Sequence, residues 1–265
     1  MTSRTIRALS FNLRRSGQGQ PLVLVHGVGA DLESWDGVVE ALGPGYDVLR
    51  YDQRGHGLSS KPPGPYCLDD FVEDLHGLLR AEDIARAHLA GFSLGGLVAQ
   101  AFALAHPDCV DKLVLISTVA GRTEQERERV LARAAKLAEQ GAGAHLSDAV
   151  DRWFTAEFIA ARPDVLAWRR AKSEQNDPAS YAAAYRVLAE SDLADKLHGI
   201  SAPTLVMTGE GDIASTPRMA RLIAERVPRS ACVILPKLKH SVLLEAPKRV
   251  ALEMGSFFDG KPPPT

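Results

Sequence analysis

Residues 91–96 read Gly91-Phe92-Ser93-Leu94-Gly95-Gly96, between an apolar run at 87–90 and a helical run at 97–104. No other stretch constrains the fold so strongly. A strand that passes into a helix through so short a link must turn sharply. The serine at the apex is then forced into a strained backbone conformation with its hydroxyl exposed. Glycines two residues to either side are required because a Cβ there would run into neighbouring backbone. The helix behind the turn opens with N–H groups that have no intrahelical acceptor. That of Leu94 is placed to meet a developing oxyanion. Ser93 is therefore the candidate nucleophile. A serine hydroxyl needs a base beside it to act as one, so the remaining question is what else the chain brings to that turn.

The wider pattern is of strands alternating with helices. Apolar, β-rich runs fall at 22–26, 47–52, 88–92, 112–117, 204–208 and 231–235, and several are continuous in Leu, Val and Ile. Such runs suit strands buried on both faces of a parallel sheet. Helical spacing falls between them at 33–42, 68–82, 95–105, 217–227 and 247–258, and the alternation at 5–14 predicts an antiparallel edge hairpin. The fold class is α/β, a doubly wound, mostly parallel sheet. From Arg122 to Ile200 no strand is found. Helices are predicted at 123–140, 145–160, 163–176 and 179–189, with Pro163 and Pro178 in first-turn positions. This predicts a core domain of residues 1–121 and 201–265, with a helical cap at 122–200 inserted over the sheet, the alternative being that these helices extend the core domain. The tail from Lys261 to Thr265 reads as disordered.

Two further loops complete the expected chemistry. His26-Gly27-Val28-Gly29 follows the run at 22–25 and supplies the Val28 N–H as the second oxyanion donor. The Gly27-Val28-Gly29 triplet imitates the start of a dinucleotide fingerprint, but Leu32 stands where that motif needs its third small residue. His26 is expected to hold this loop by hydrogen bonding. The run at 204–208 ends in a turn bearing Glu210 and Asp212. Asp212, beyond two glycines, is preferred as the orienting acid, with Glu210 as the alternative. His240 lies in the loop after the last apolar run, giving the order Ser, Asp, His.

Composition excludes other classes. A net charge of −2 gives no basic footprint for nucleic acid or an anionic membrane. No apolar run is long enough to span a bilayer. Three cysteines, Cys67, Cys109 and Cys232, have no C-x-x-C spacing, which favours a reducing cytoplasm over a disulfide framework. Cys67 and Cys109 are expected to be buried small side chains or bystanders. The first ten residues show no apolar core of a signal peptide. No histidine pair has metal-ligand spacing, so neither metal nor cofactor is expected.

These residues together resemble the α/β-hydrolase superfamily along essentially the whole chain. The stretch Val48-Leu-Arg-Tyr-Asp-Gln-Arg-Gly-His-Gly57, the Leu-Gly-Gly-Leu-Val-Ala-Gln run after Ser93, Asp177-Pro178-x-x-Tyr181 and Asp192-Leu193 are similar to its 3-oxoadipate enol-lactonase branch. The chain departs from that branch in its His-Gly-Val-Gly loop. The resemblance implies a hydrolase of a small ester or lactone working through an acyl-enzyme on Ser93. A carboxylesterase, a C–C bond hydrolase and a non-catalytic ligand receptor of the same fold remain alternatives. It also implies that Trp153 lies over the pocket, with cap packing as the alternative. Arg122 is a candidate substrate contact, with a solvated arginine as the alternative. The cap also carries Arg152, Arg169 and Arg186, and an arginine fork would suit a substrate carboxylate. Arg54 and Asp52 are expected to hold local backbone, and the charged run at 123–133 to be an exposed helix face.

Overall fold

The computed structural model describes residues 2–140 and 149–261. Eight strands form one sheet: β1 (Thr2–Ile6), β2 (Leu9–Gly17), β3 (Gly19–Val25), β4 (Gly45–Tyr51), β5 (Ala87–Phe92), β6 (Val110–Ile116), β7 (Thr204–Gly209) and β8 (Ser230–Leu235). Their order across the sheet is β1-β2-β4-β3-β5-β6-β7-β8. β1 and β2 pair antiparallel, as do β2 and β4, while all other pairs are parallel. The hairpin expected at 5–14 is thus present and longer. It turns through Arg7 and Ala8, both with positive φ (49° and 66°), which matches the right-handed strand twist.

The continuous apolar runs have the predicted cause. Along β3, Leu22 and Leu24 face one side of the sheet and Val23 and Val25 the other, and all four are fully buried. One face packs against α2 (Leu68–Ala81), α3 (Leu94–Ala105) and α9 (Pro217–Arg226). The other packs against α1 (Asp36–Leu42), α10 (Val242–Glu245) and α11 (Pro247–Phe258). Each such Leu or Val contributes roughly 1.5–3 kcal/mol by leaving water. The observed β3, β4 and β6 start two or three residues earlier than their apolar runs and end a residue sooner. His26, Asp52 and Ser117 fall just beyond the strand ends, where side chains are free to face a site.

Between β6 and β7 the described residues form helices and no strand: α4 (Glu124–Gln140), α5 (149–153), α6 (Ala156–Ala161), α7 (Pro163–Glu174) and α8 (Pro178–Glu190). Pro163 and Pro178 sit at the starts of their helices, as expected. The single helix expected at 145–160 is not observed in its described part. Thr155 interrupts it by accepting a bond from the Phe158 N–H and capping α6, because a hydroxyl at that position satisfies an otherwise orphaned donor. The first residues of that expected helix, and all of the expected tail but Lys261, lie outside the described residues. Among the described residues no helix is long and apolar enough to cross a membrane, and no group of His, Cys, Asp and Glu could hold a metal ion.

The chain runs outward from β3 to β4, then returns through α2 to β5 on the far side of β3. The C-terminal ends of β3 and β5 therefore flank the point where the strand order reverses, the usual place for a ligand crevice in an open α/β sheet.

Candidate active site

Ser93 is the hinge between β5 and α3. Its φ of 54° and ψ of −115° lie outside the regions favoured by L-residues. Close packing holds it there. A Cβ on Gly91 would sit 2.2 Å from the Gly95 carbonyl oxygen, and one on Gly95 would sit 2.2 Å from that of Val25. The turn is thus wedged between its own helix and the end of β3. The Ser93 N–H donates to the Ile116 carbonyl at 2.9 Å, and the Thr118 hydroxyl donates to the Ser93 carbonyl at 2.8 Å. Leu94 opens α3, so its N–H belongs to the first turn and has no intrahelical acceptor.

The loop after β3 is fixed by His26. This ring is fully buried, its Nδ1 lies 2.7 Å from the Gly27 carbonyl, and its Nε2 accepts from the Gln53 N–H at 3.0 Å. Gln53 also donates through its side chain to the His26 carbonyl at 2.7 Å. Both ring nitrogens are therefore occupied. Burial pushes the His26 pKa down to about 4, so the ring is neutral and holds the loop, as its position predicts. Gln53 has no signal in the sequence, since its partner lies 27 residues away. Asp52 ties the same region together, accepting from the Leu32 and Leu58 N–H groups and the Asn12 amide.

Arg54 departs from the expectation of local backbone support. Its fork pairs with Asp74 on α2 at 2.6 and 2.8 Å, and a third nitrogen reaches Asp70 at 3.0 Å. Two carboxylates one turn apart on an amphipathic helix out-compete nearby carbonyls, since ionised acceptors make the stronger bonds. Cys67 is exposed, and it caps α2 against Asp70. Cys109 is half-buried, and all three cysteines are free.

Asp212 and His240 meet. His240 Nδ1 lies 2.7 Å from Asp212 Oδ2. A carboxylate oxygen accepts, so Nδ1 is the donor of this bond and Nε2 is left free to accept. The other Asp212 oxygen accepts from the Ala214 and Ser215 N–H groups, both at 2.9 Å. Those bonds and its 3% exposure aim the carboxylate inward. Glu210 instead faces the surface and accepts from the Lys237 N–H. The approach of the two loops depends on Gly209, where a Cβ would lie 2.1 Å from the Lys239 carbonyl oxygen.

One cavity joins these pieces. It holds about 1110 Å³ of free space including its mouth, and Gly27, Val28, Ser93 and His240 share its lining with side chains from the helical segment. Trp153 lines the cavity, and its carbonyl accepts from the Ser241 N–H, tying α5 to the His240 loop. Arg122 also reaches the cavity, but it is buried, not solvated. Its guanidinium donates to the Ser191 and Leu188 carbonyls at 3.0 and 2.8 Å, clasping the two ends of the helical segment. The charged run at 123–133 is largely exposed, yet Glu126, Arg129, Val130 and Arg133 turn towards the cavity. Arg169, Tyr185, Ile213 and Met219 line it too. Of these four, only Arg169 carries a signal in the sequence, and then merely as one of several arginines.

The sequence profile of the α/β hydrolase fold matches residues 20–247. The chain belongs to the α/β-hydrolase fold family. Within that family it is 32% identical over 252 residues to the (E)-2-((N-methylformamido)methylene)succinate hydrolase of Acinetobacter baylyi, covering 93% of each chain. It is 30% identical over 246 residues to 3-oxoadipate enol-lactonase 2 of the same species, covering 92% of this chain and 91% of that one. The crystal structure of the enol-lactonase from Burkholderia xenovorans superposes with a TM-score of 0.92 at 31% identity, over 97% of this chain and 100% of that one. The likeness to the enol-lactonase branch read from residues 48–57, the run after Ser93, 177–181 and 192–193 is thus supported along nearly the whole α/β-hydrolase chain.

Proposed function

We propose that this α/β hydrolase cleaves a small ester or lactone through an acyl-enzyme on Ser93. The observation that carries the reading is a single cavity lined by both Ser93 and His240, with the His240 ring oriented by Asp212 at 2.7 Å. Relatives named as an enol-lactonase and as methyl ester esterases support an ester-acting hydrolase.

In this mechanism Ser93 Oγ attacks the substrate carbonyl while His240 Nε2 takes its proton. The oxyanion that forms is met by the N–H groups of Val28 and Leu94. His240 then returns the proton to the leaving oxygen, which in a lactone stays tethered to the acyl group. A water, deprotonated by the same nitrogen, releases the acid and restores Ser93. Asp212 stabilises the imidazolium at each stage. Residues 122–200 act as a cap whose underside, with Trp153, forms the roof of the site and keeps water from the reacting atoms.

The test is turnover. Purified protein is offered a panel of aryl esters and γ-lactones. Many product equivalents per protein are expected for at least one of them. A single equivalent, or none, would instead favour a ligand receptor built on the same fold.

A further inference from the structure

The loop that carries His240 is held from two sides. Before the histidine its partners lie in the loop after β7. Glu210 accepts from the Lys237 N–H, and the Gly211 N–H donates to the Leu238 carbonyl at 2.8 Å. From Lys239 onward they lie in the helical segment. The Lys239 ammonium donates to the Asp151 carbonyl, and the Ser241 N–H donates to the Trp153 carbonyl at 2.9 Å. On α10, the Glu245 carboxylate accepts from the Thr155 N–H at 3.1 Å and from the Thr155 hydroxyl. Residues 151, 153 and 155 thus meet 239, 241 and 245 in turn, and His240 stands between the first two contacts.

Of these three ties, the last is made by side chains at both ends, so residue identity matters there most. Thr155 uses its hydroxyl twice, donating to Glu245 and accepting from the Phe158 N–H at 3.2 Å. The second bond caps α6 just beyond Trp153. One hydroxyl therefore joins the helices over the cavity to the loop of the base. Glu245 is half-buried, and its Oε2 is buried without a hydrogen-bond partner among the described residues. Burial pushes its carboxyl pKa up, against the pull of the Thr155 donors. Such a group is a poor source of stability, since apolar partners of the same shape would serve as well or better. What the carboxylate supplies is direction. Two donors converge on one oxygen and fix where α10 sits against the helical segment.

We propose that Glu245 and Thr155 are positioning residues of the reaction, locking the His240 loop against the helical segment so that the imidazole is aimed at Ser93. The proposal rests on the hydrolase reading and gives the helical segment a part in aligning the base as well as covering the site. Glu245 closes α10, a single turn that begins two residues after His240. A slip at the latch is therefore passed to the imidazole with little slack. Neither Glu245 nor Thr155 lines the cavity, so their loss should leave ligand affinity in place and slow the chemical step.

The experiment follows fluorophosphonate labelling of Ser93 against probe concentration, which separates the limiting rate from the half-saturating concentration. Glu245→Ala is expected to lower the limiting rate about ten- to hundredfold, as a misplacement approaching 1 Å does, and to leave the half-saturating concentration unchanged. Glu245→Gln keeps an oxygen for both Thr155 donors and should label nearly as fast as wild type. Thr155→Val, which removes the hydroxyl, should slow labelling, and Thr155→Ser, which restores it, should recover the rate. When Glu245→Ala and Thr155→Val are combined, the loss should fall well short of the product of the single losses, because one contact is removed twice. A wild-type limiting rate in folded Glu245→Ala, a Glu245→Gln protein as slow as Glu245→Ala, or losses that multiply would overturn the proposal. If Glu245→Ala does not fold, the Thr155 pair decides, and Thr155→Val labelling as fast as Thr155→Ser overturns it. Failure of wild-type Ser93 to label at all would instead strike the hydrolase reading on which it rests.

Discussion

Gly95→Ala is the substitution whose effect can be worked most directly from the geometry. The added Cβ would lie 2.2 Å from the Val25 carbonyl oxygen and 2.5 Å from that of His26. Both are backbone atoms, so no side chain can swing aside. Relief requires the start of α3 and the end of β3 to part by about 1 Å, the shortfall from ordinary van der Waals contact. The start of α3 carries the Leu94 N–H, the loop that leaves β3 carries that of Val28, and Ser93 lies two residues before the substitution. A 1 Å misplacement of reacting groups costs about 10²-fold in rate, and overpacking of this kind costs about 1–3 kcal/mol. Gly255→Ala is the matched control. Gly255 lies inside α11, and a methyl group there would meet nothing within 4 Å, so alanine should stabilise by about 0.5–1 kcal/mol. Urea denaturation followed by tryptophan fluorescence measures the change in stability, and the rate of fluorophosphonate labelling measures the change in reactivity. A Gly95→Ala protein that labels within threefold of wild type and unfolds at the same urea concentration would refute the wedge described for Ser93.

His240→Ala should slow organophosphorus labelling by orders of magnitude, because an unassisted hydroxyl reacts slowly. Asp212→Asn should cost less, on the order of 10⁴-fold in kcat by analogy with other triads, whereas Glu210→Gln should be nearly silent; the reverse order in steady-state assays would move the acid to Glu210. Stability should also depend on pH through buried imidazoles, among them His26, held near 4, and His56, pushed down to about 3 by burial and by its neighbour His26. Unfolded chains bind these protons near pH 6.5, so the stabilisation is fully present above that pH and is lost as pH falls towards 4. Urea midpoints measured from pH 7.5 to 4.5 should drop by the equivalent of a few kcal/mol, and a flat profile down to pH 5 would contradict the neutral, buried state of both rings.

Much of the fold was legible because its signals are local. Strands buried on both faces need unbroken apolar runs, and β3 and β6 carry them. The turn at Ser93 needs small residues at fixed offsets, and they stand at 91, 95 and 96. Asp212 could be preferred over Glu210 because two glycines let the chain turn inward, and the hydrogen bonds from residues 214 and 215 now explain that turn. What escaped the sequence depends on partners far along the chain. Arg54 chose Asp74 over its own loop, and Gln53 grips the loop of His26. Neither choice leaves a periodic trace. Arg122 is buried where a solvated arginine was the alternative, because its acceptors are carbonyls at 188 and 191 that no pattern announces. The distinction between Arg169 and the other arginines of the segment lies wholly in packing, in which the Arg169 guanidinium meets the Trp153 indole and the cavity while Arg186 meets Glu190 at the surface. The break at Thr155 is the opposite case, a capping signal present in the sequence but masked by the helical spacing around it.

The central claim is that Ser93 is an activated nucleophile, and covalent mapping tests it most directly. Protein treated with a fluorophosphonate is digested, and the modified peptide is identified by mass spectrometry. A single stoichiometric adduct on Ser93 is expected in the wild type and none in a folded Ser93→Ala protein. An unmodified Ser93, or an adduct that persists in Ser93→Ala, would contradict it.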